Sequence, residues 1–120
     1  MLYEELSGEI IGAAMEVLNE LRPGLDEKLY ENALAIELTL RGHKVEQQQR
    51  FNVLYKGQLI GTLVPDMIVD ETILVDAKVV SDFCDAHVSQ MIGYLAKTDL
   101  QLGLLINFKH ASLKWKRVSH

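Results

Sequence analysis

The run Leu102-Gly103-Leu104-Leu105-Ile106-Asn107-Phe108 is nearly all apolar and only seven residues long. A stretch that short and that apolar reads as a β-strand buried on both faces. Such a strand needs a layer above it and a layer below it, which points to a sheet covered by helices. The segment before it, from about Phe83 to Lys97, carries Val88, Met91, Ile92 and Leu95 at helical spacing. A helix leading into a doubly buried strand is the crossover unit of an α/β domain.

The rest of the chain fits that frame. Residues 2–21 read as an amphipathic helix with Leu6, Ile10, Ala14, Val17 and Leu21 on one stripe, flanked by Ile11 and Leu18. Pro23-Gly24 stops it. A second helix is expected from Asp26, as N-cap, to Arg41, with Leu29, Ala33, Ile36 and Leu40 as its apolar face and Gly42 at its end. The period then changes to two. Val45, Gln47, Gln49, Phe51, Val53 and Tyr55 share one face of a strand, and Lys56-Gly57 is a turn. A second strand is expected over Gln58–Val69 and a third over Ile73–Val80. Ser81 and Asp82 are candidate caps for the third helix. Leu113–Val118 alternates like an edge strand. The predicted order is α-α-β-β-β-α-β-β, a mixed sheet flanked by helices.

The chain has 120 residues, enough for one domain, and 48% of them are hydrophobic, enough for a core that needs no staple. Its one cysteine, Cys84, excludes an intramolecular disulfide and fits a reducing compartment. The first residues are acidic rather than basic and apolar, and no stretch approaches the roughly 20 apolar residues of a membrane span. A cytoplasmic location with no membrane partner is the expectation. The net charge of −5 counts against tight, non-specific binding to nucleic acid. It does not exclude a nuclease, because the local field matters more and a bound cation adds positive charge.

The segment Pro65-Asp66-Met67-Ile68-Val69-Asp70-Glu71-Thr72-Ile73-Leu74-Val75-Asp76-Ala77-Lys78 carries the chemistry. Three charged groups, Asp66, Asp76 and Lys78, interrupt strands that otherwise favour burial. Along the third strand Asp76 and Lys78 share a face, about 7 Å apart. If the connection is Asp70–Thr72, Val69 faces Ile73, Met67 faces Val75, and Asp66 faces Asp76. Both aspartates then lie on one face and the apolar residues on the other. A two-residue turn would put Asp66 on the wrong face. The apolar grouping favours the first register, although a bulge near Pro65 reaches the same end. Two adjacent carboxylates repel unless a cation lies between them. A hard divalent ion such as Mg²⁺ suits them, could activate water and would offset phosphate charge. Lys78 could position the attacking water or stabilise charge on phosphoryl oxygens. The competing reading is a solvated sheet face with Lys78 in a weak surface ion pair.

Pro65-Asp66 followed by Asp76-x-Lys78 resembles the PD-(D/E)XK nuclease signature. Nearly the whole chain resembles its GxxExxY branch, through Gly24-Leu25-Asp26-Glu27-Lys28-Leu29-Tyr30, Ile10-Ile11-Gly12-Ala13-Ala14, Tyr30-Glu31-Asn32-Ala33-Leu34, Gln90-Met91-Ile92-Gly93-Tyr94-Leu95 and Gly103-Leu104-Leu105-Ile106-Asn107-Phe108. The resemblance implies an α-β-β-β-α-β core and a phosphodiesterase site using Mg²⁺ or Mn²⁺. It implies Asp66 and Asp76 as metal ligands, Lys78 as catalytic lysine and Glu27 as a further acid. Gln90 and Tyr94, one helical turn apart, would line or brace the site, with Tyr30 in support. The chain departs from the branch at Asp76, where glutamate is usual, and at Lys109-His110, where a glycine-led turn is expected.

Other signals point away from alternative chemistries. His43, His87, His110 and His120 form no zinc pattern, and Cys84-x-x-His87 supplies only two soft ligands. No Gly-rich phosphate loop and no Gly-x-Ser-x-Gly is present. Lys114-Trp115-Lys116-Arg117 mixes basic and aromatic groups that could touch nucleic acid, yet such a stretch is more often an edge strand whose lysines deter pairing. Two functions remain: a metal-dependent nuclease acting on DNA or RNA, or a nuclease-fold binding module without turnover. A chain this small that cuts DNA often works with a partner, so a homodimer is one expected assembly.

Overall fold

In the computed structural model, which describes residues 1–120, two helices come first, α1 (Glu4–Leu21) and α2 (Glu27–Leu40). They are followed by β1 (Val45–Gln47), β2 (Phe51–Tyr55), β3 (Gln58–Leu63), β4 (Met67–Val69) and β5 (Ile73–Lys78). Helix α3 (Asp85–Thr98) then leads into β6 (Leu102–Asn107) and β7 (Lys114–Ser119). Five strands form one mixed sheet in the order β1-β4-β5-β6-β7, and β2 and β3 form a separate hairpin. Only β5 and β6 run parallel, joined by α3. The class is α/β, and β6 is buried throughout its length, as its apolar run requires.

Each of the two long strands expected from period-two alternation is broken. Gln48 takes a left-handed conformation, φ 57°, and ends β1. Val64 to Asp66 leave the ladder between β3 and β4, where Pro65 has no N–H to give. The ladder is patched across both breaks by one bond, in which the Gln48 N–H donates to the Asp66 carbonyl at 3.0 Å.

Two apolar layers sandwich the sheet. Ile73, Val75 and Ala77 of β5 and Leu104 and Ile106 of β6 face α1 and α2. Leu74 and Leu105 face α3 through Met91 and Leu95. At Gly103 an added Cβ would collide with the Met91 side chain of α3, so the glycine leaves that side chain its room against β6.

Helix α2 is rotated from the expected orientation. Its buried residues are Tyr30, Glu31, Leu34, Ala35 and Leu38. Leu29, Ile36 and Leu40, expected in the core, are exposed. The helix is apolar on two arcs, and Tyr30 selects one. Its ring stacks on Phe108 with centroids 4.8 Å apart. Its hydroxyl donates to the Arg22 carbonyl at 2.6 Å and accepts the Leu25 N–H at 3.1 Å.

The start of α3 also differs. Cys84, rather than Ser81 or Asp82, is the N-cap. The Cys84 N–H donates to His87 Nδ1 at 3.1 Å, so Cys84-x-x-His87 forms a capping box. Asp26 does stand at the N-cap of α2, without a side-chain capping bond.

Candidate active site

Strand β4 pairs antiparallel with β5 in the register Met67↔Val75, Ile68↔Leu74 and Val69↔Ile73. This is the three-residue connection, closed by Asp70 and Glu71 in left-handed conformations. Carried one step further, the register sets Asp66 beside Asp76. Asp66 Oδ2 accepts the Ala77 N–H at 3.0 Å, which fastens the carboxylate between Asp76 and Lys78. Lys78 Nζ lies 3.0 Å from Asp76 Oδ2, with both side chains largely buried.

The electrostatics are those of a compressed acidic pair. Burial, then a hydrogen bond and charge from Asp76, then the charge of Glu31 push the Asp66 carboxyl up to about 8. At neutral pH the Asp66 carboxyl is therefore mostly protonated. Burial works against the Lys78 ammonium, but Asp76, with Glu27 and Asp66 behind it, outweighs burial and raises its pKa. Tyr94 is held above its usual value by burial and by the same two aspartates, against Lys78. Tyr94 therefore faces the site, and Gln90 Nε2 donates to its hydroxyl at 3.3 Å.

Glu27 is exposed at the start of α2, and its charge reaches Lys78. Tyr30 stands apart, with its side chain committed to the core and to the α1–α2 connection. A residue given no role in the sequence reading is built into the site instead. Glu31 is only 3% exposed. It accepts hydrogen bonds from Gln47 Nε2 at 2.8 Å and Gln48 Nε2 at 3.1 Å, and pairs with Lys28 Nζ at 3.2 Å. The signal was a carboxylate on the arc of Tyr30, Leu34 and Leu38, legible only once that arc is known to be the buried one.

No three His, Cys, Asp or Glu side chains converge closely enough to hold an ion by themselves. The donor set is instead the buried Asp76 and, beside it, the half-buried Asp66. That set fits a hard divalent cation, which takes one or two carboxylates, keeps waters and accepts substrate oxygens. The cation would replace the proton and relieve the repulsion.

No helix is long and apolar enough to cross a membrane. Among curated proteins no significant match to the sequence exists. The chain is similar in structure to an alkaline exonuclease (LHK-Exo) from Laribacter hongkongensis, with a TM-score of 0.57 and 13% identity, covering 100% of this chain and 72% of the other. A model of the PD-(D/E)XK nuclease superfamily, whose members generally use divalent metal ions, matches residues 4–118. With that match over almost its full length, the chain belongs to the PD-(D/E)XK nuclease superfamily.

Proposed function

We propose that this protein is a nuclease that hydrolyses phosphodiester bonds of DNA or RNA with Mg²⁺ or Mn²⁺, and that it lies in the GxxExxY branch through Gly24, Glu27 and Tyr30. The observation that carries the reading is the meeting of Asp66, Asp76 and Lys78 at the β4–β5 junction, in a chain of this superfamily.

Asp66 and Asp76 would hold the cation, which supplies Lewis acidity and offsets phosphate charge. The Ala77 N–H orients the Asp66 carboxylate. Lys78 stays protonated at neutral pH, since its neighbours raise its pKa. It can therefore donate to the water or to the phosphoryl oxygens as charge grows on them. Glu31 supplies a third negative charge beside Asp66, oriented by Gln47 and Gln48. Glu27 adds charge at the rim. Gln90 and Tyr94 form a polar wall from α3 able to bind a substrate phosphate or sugar.

The reading is tested by calorimetric titration of Mg²⁺ and Mn²⁺ into the protein and into Asp76→Ala. Binding that is lost in the variant supports the site. A cleavage screen on single- and double-stranded DNA and RNA then fixes the substrate. No binding and no cleavage would favour the binding-module reading.

A further inference from the structure

We infer that the β2–β3 hairpin is an arm that grips unpaired nucleotides of the substrate and feeds them to the Asp66–Asp76–Lys78 site; this rests on the nuclease reading above. The hairpin is not part of the main sheet. Two strands alone are marginal in water, so its retention needs a reason.

Its inner face is tied down. Phe51, Val53 and Leu63 are half-buried, and Phe51 shares a cavity of about 220 Å³ with Ile68, Thr98 and Leu100. Ile68 pairs with Leu74, which packs on α3, so the hairpin lies on the same side of the sheet as α3 and Asp76. Strand β3 continues through Val64-Pro65 directly into Asp66. The arm is thus one short, stiff link from the reacting groups.

Its outer end is unpartnered. Leu54, Tyr55, Leu59 and Ile60 are 58–67% exposed. Leu54 and Leu59 are cross-strand partners, and the register shift beyond them leaves Ile60 unpaired at the bulge. Leu54 and Leu59 stand side by side on one face and Tyr55 lies on the other, so the exposed end offers apolar surface on both faces of the ribbon. Lys56 Nζ sits over the Tyr55 ring at 5.4 Å, which sets a cation beside an aromatic face. From Gln47 to Pro65 the chain has Arg50 and Lys56 and none of its 17 acidic residues. A cationic, apolar arm on an acidic protein is complementary to a nucleic-acid strand.

The chemistry selects unpaired nucleotides. Base faces stack on aromatic and apolar side chains with little regard to sequence. Two cations are too few to hold duplex backbone alone. Four side chains on a ribbon also fall well short of the ~800 Å² per partner of a stable dimer.

The test measures fluorescence anisotropy of a 5′-fluorescein-labelled DNA strand of about 12 nucleotides and of its blunt duplex. The proteins are the full chain, Leu54→Ser/Leu59→Ser and Arg50→Gln/Lys56→Gln, each checked for folding by thermal melting. The expected result is single-strand binding weakened about tenfold or more in both variants. The slope of log Kobs against log salt should fall by about 1.4 in the charge variant and stay unchanged in the apolar one. Unchanged single-strand affinity in both variants overturns the arm. So does a dimer in sedimentation that the apolar variant dissociates without loss of DNA affinity. If the hairpin variants bind normally while Asp76→Ala abolishes cleavage, only the arm falls. If the parent neither binds nor cuts any nucleic acid, arm and nuclease reading fall together.

Discussion

Asp66 of one strand is tied to Ala77 of the next, by a hydrogen bond of 3.0 Å from the Ala77 N–H to Asp66 Oδ2. Ala77 lies between Asp76 and Lys78, so this bond sets all three charged groups around one point. Asp66→Ala, Asp76→Ala and Lys78→Ala should each lower cleavage by at least about a hundredfold while circular dichroism and melting show a folded chain. Undiminished cleavage in all three would remove the site assignment.

Cation binding should release protons. Asp66 is pushed up to about 8, so it is mostly protonated at pH 7 and must ionise to become a ligand. Calorimetric titration of Mn²⁺ in two buffers of different ionisation enthalpy should show about one proton released at pH 7, and almost none well above pH 8. Because Asp66 titrates higher in the folded protein than unfolded, it destabilises the apo form as pH rises between those values. Asp66→Asn should therefore raise the melting temperature of the apo protein by a few degrees at pH 9 and leave it nearly unchanged at pH 4.

Glu31 and Glu27 should separate. Glu31 is buried and its charge acts on Asp66, whereas Glu27 is exposed. Glu31→Gln should weaken Mg²⁺ binding by about 10–100-fold with the packing preserved. Glu27→Gln should do far less. A larger effect at Glu27 would return the third acidic role to the residue expected from the motif.

A pH window of stability is expected from His43. Its Nδ1 lies 2.7 Å from Asp70 Oδ2, and its buried Nε2 lies 3.2 Å from Glu9 Oε1 without the alignment of a hydrogen bond. The bond to Asp70 raises its pKa, against burial, with help from the charges of Asp70 and Glu9. Burial pushes Asp70 up, but His43 and the Lys44 N–H outweigh it and hold it below the ordinary range. The His43 contribution is complete below its unfolded value of 6.5 and is lost as pH rises through its folded value. The Asp70 contribution is present above 3.8 and is lost as pH falls through its folded value. His43→Gln should therefore cost most near pH 5.5 and least near pH 9, as read from urea midpoints at both.

Tyr30→Phe should cost about 1–3 kcal/mol in stability, because the Arg22 carbonyl and the Leu25 N–H both lose their partner. The ring stack on Phe108 would remain. Metal affinity should not change, which would mark Tyr30 as holding the α1–α2 connection rather than touching substrate.

The apolar patterns of the sequence determined the element types, the crossover through α3 and the burial of β6. They also favoured the β4–β5 register, because of the two tight connections only the three-residue one puts Met67, Val69, Ile73 and Val75 on the same face. Hydrophobic patterning reports which residues avoid water, and these choices follow from that alone. Tertiary structure decided what the pattern leaves degenerate. Helix α2 has two apolar arcs, and the Phe108 stack with the Arg22 and Leu25 bonds chose the one that buries Glu31. The breaks at Gln48 and Val64–Asp66 lie inside good alternation; Pro65 marks the second locally, and the bond from the Gln48 N–H to the Asp66 carbonyl joins the two across the fold. Cys84 displaced Ser81 and Asp82 as cap through the side chain of His87. The raised pKa of Asp66 is likewise a product of burial and of neighbours from two other elements, which no local reading of Pro65-Asp66 contains.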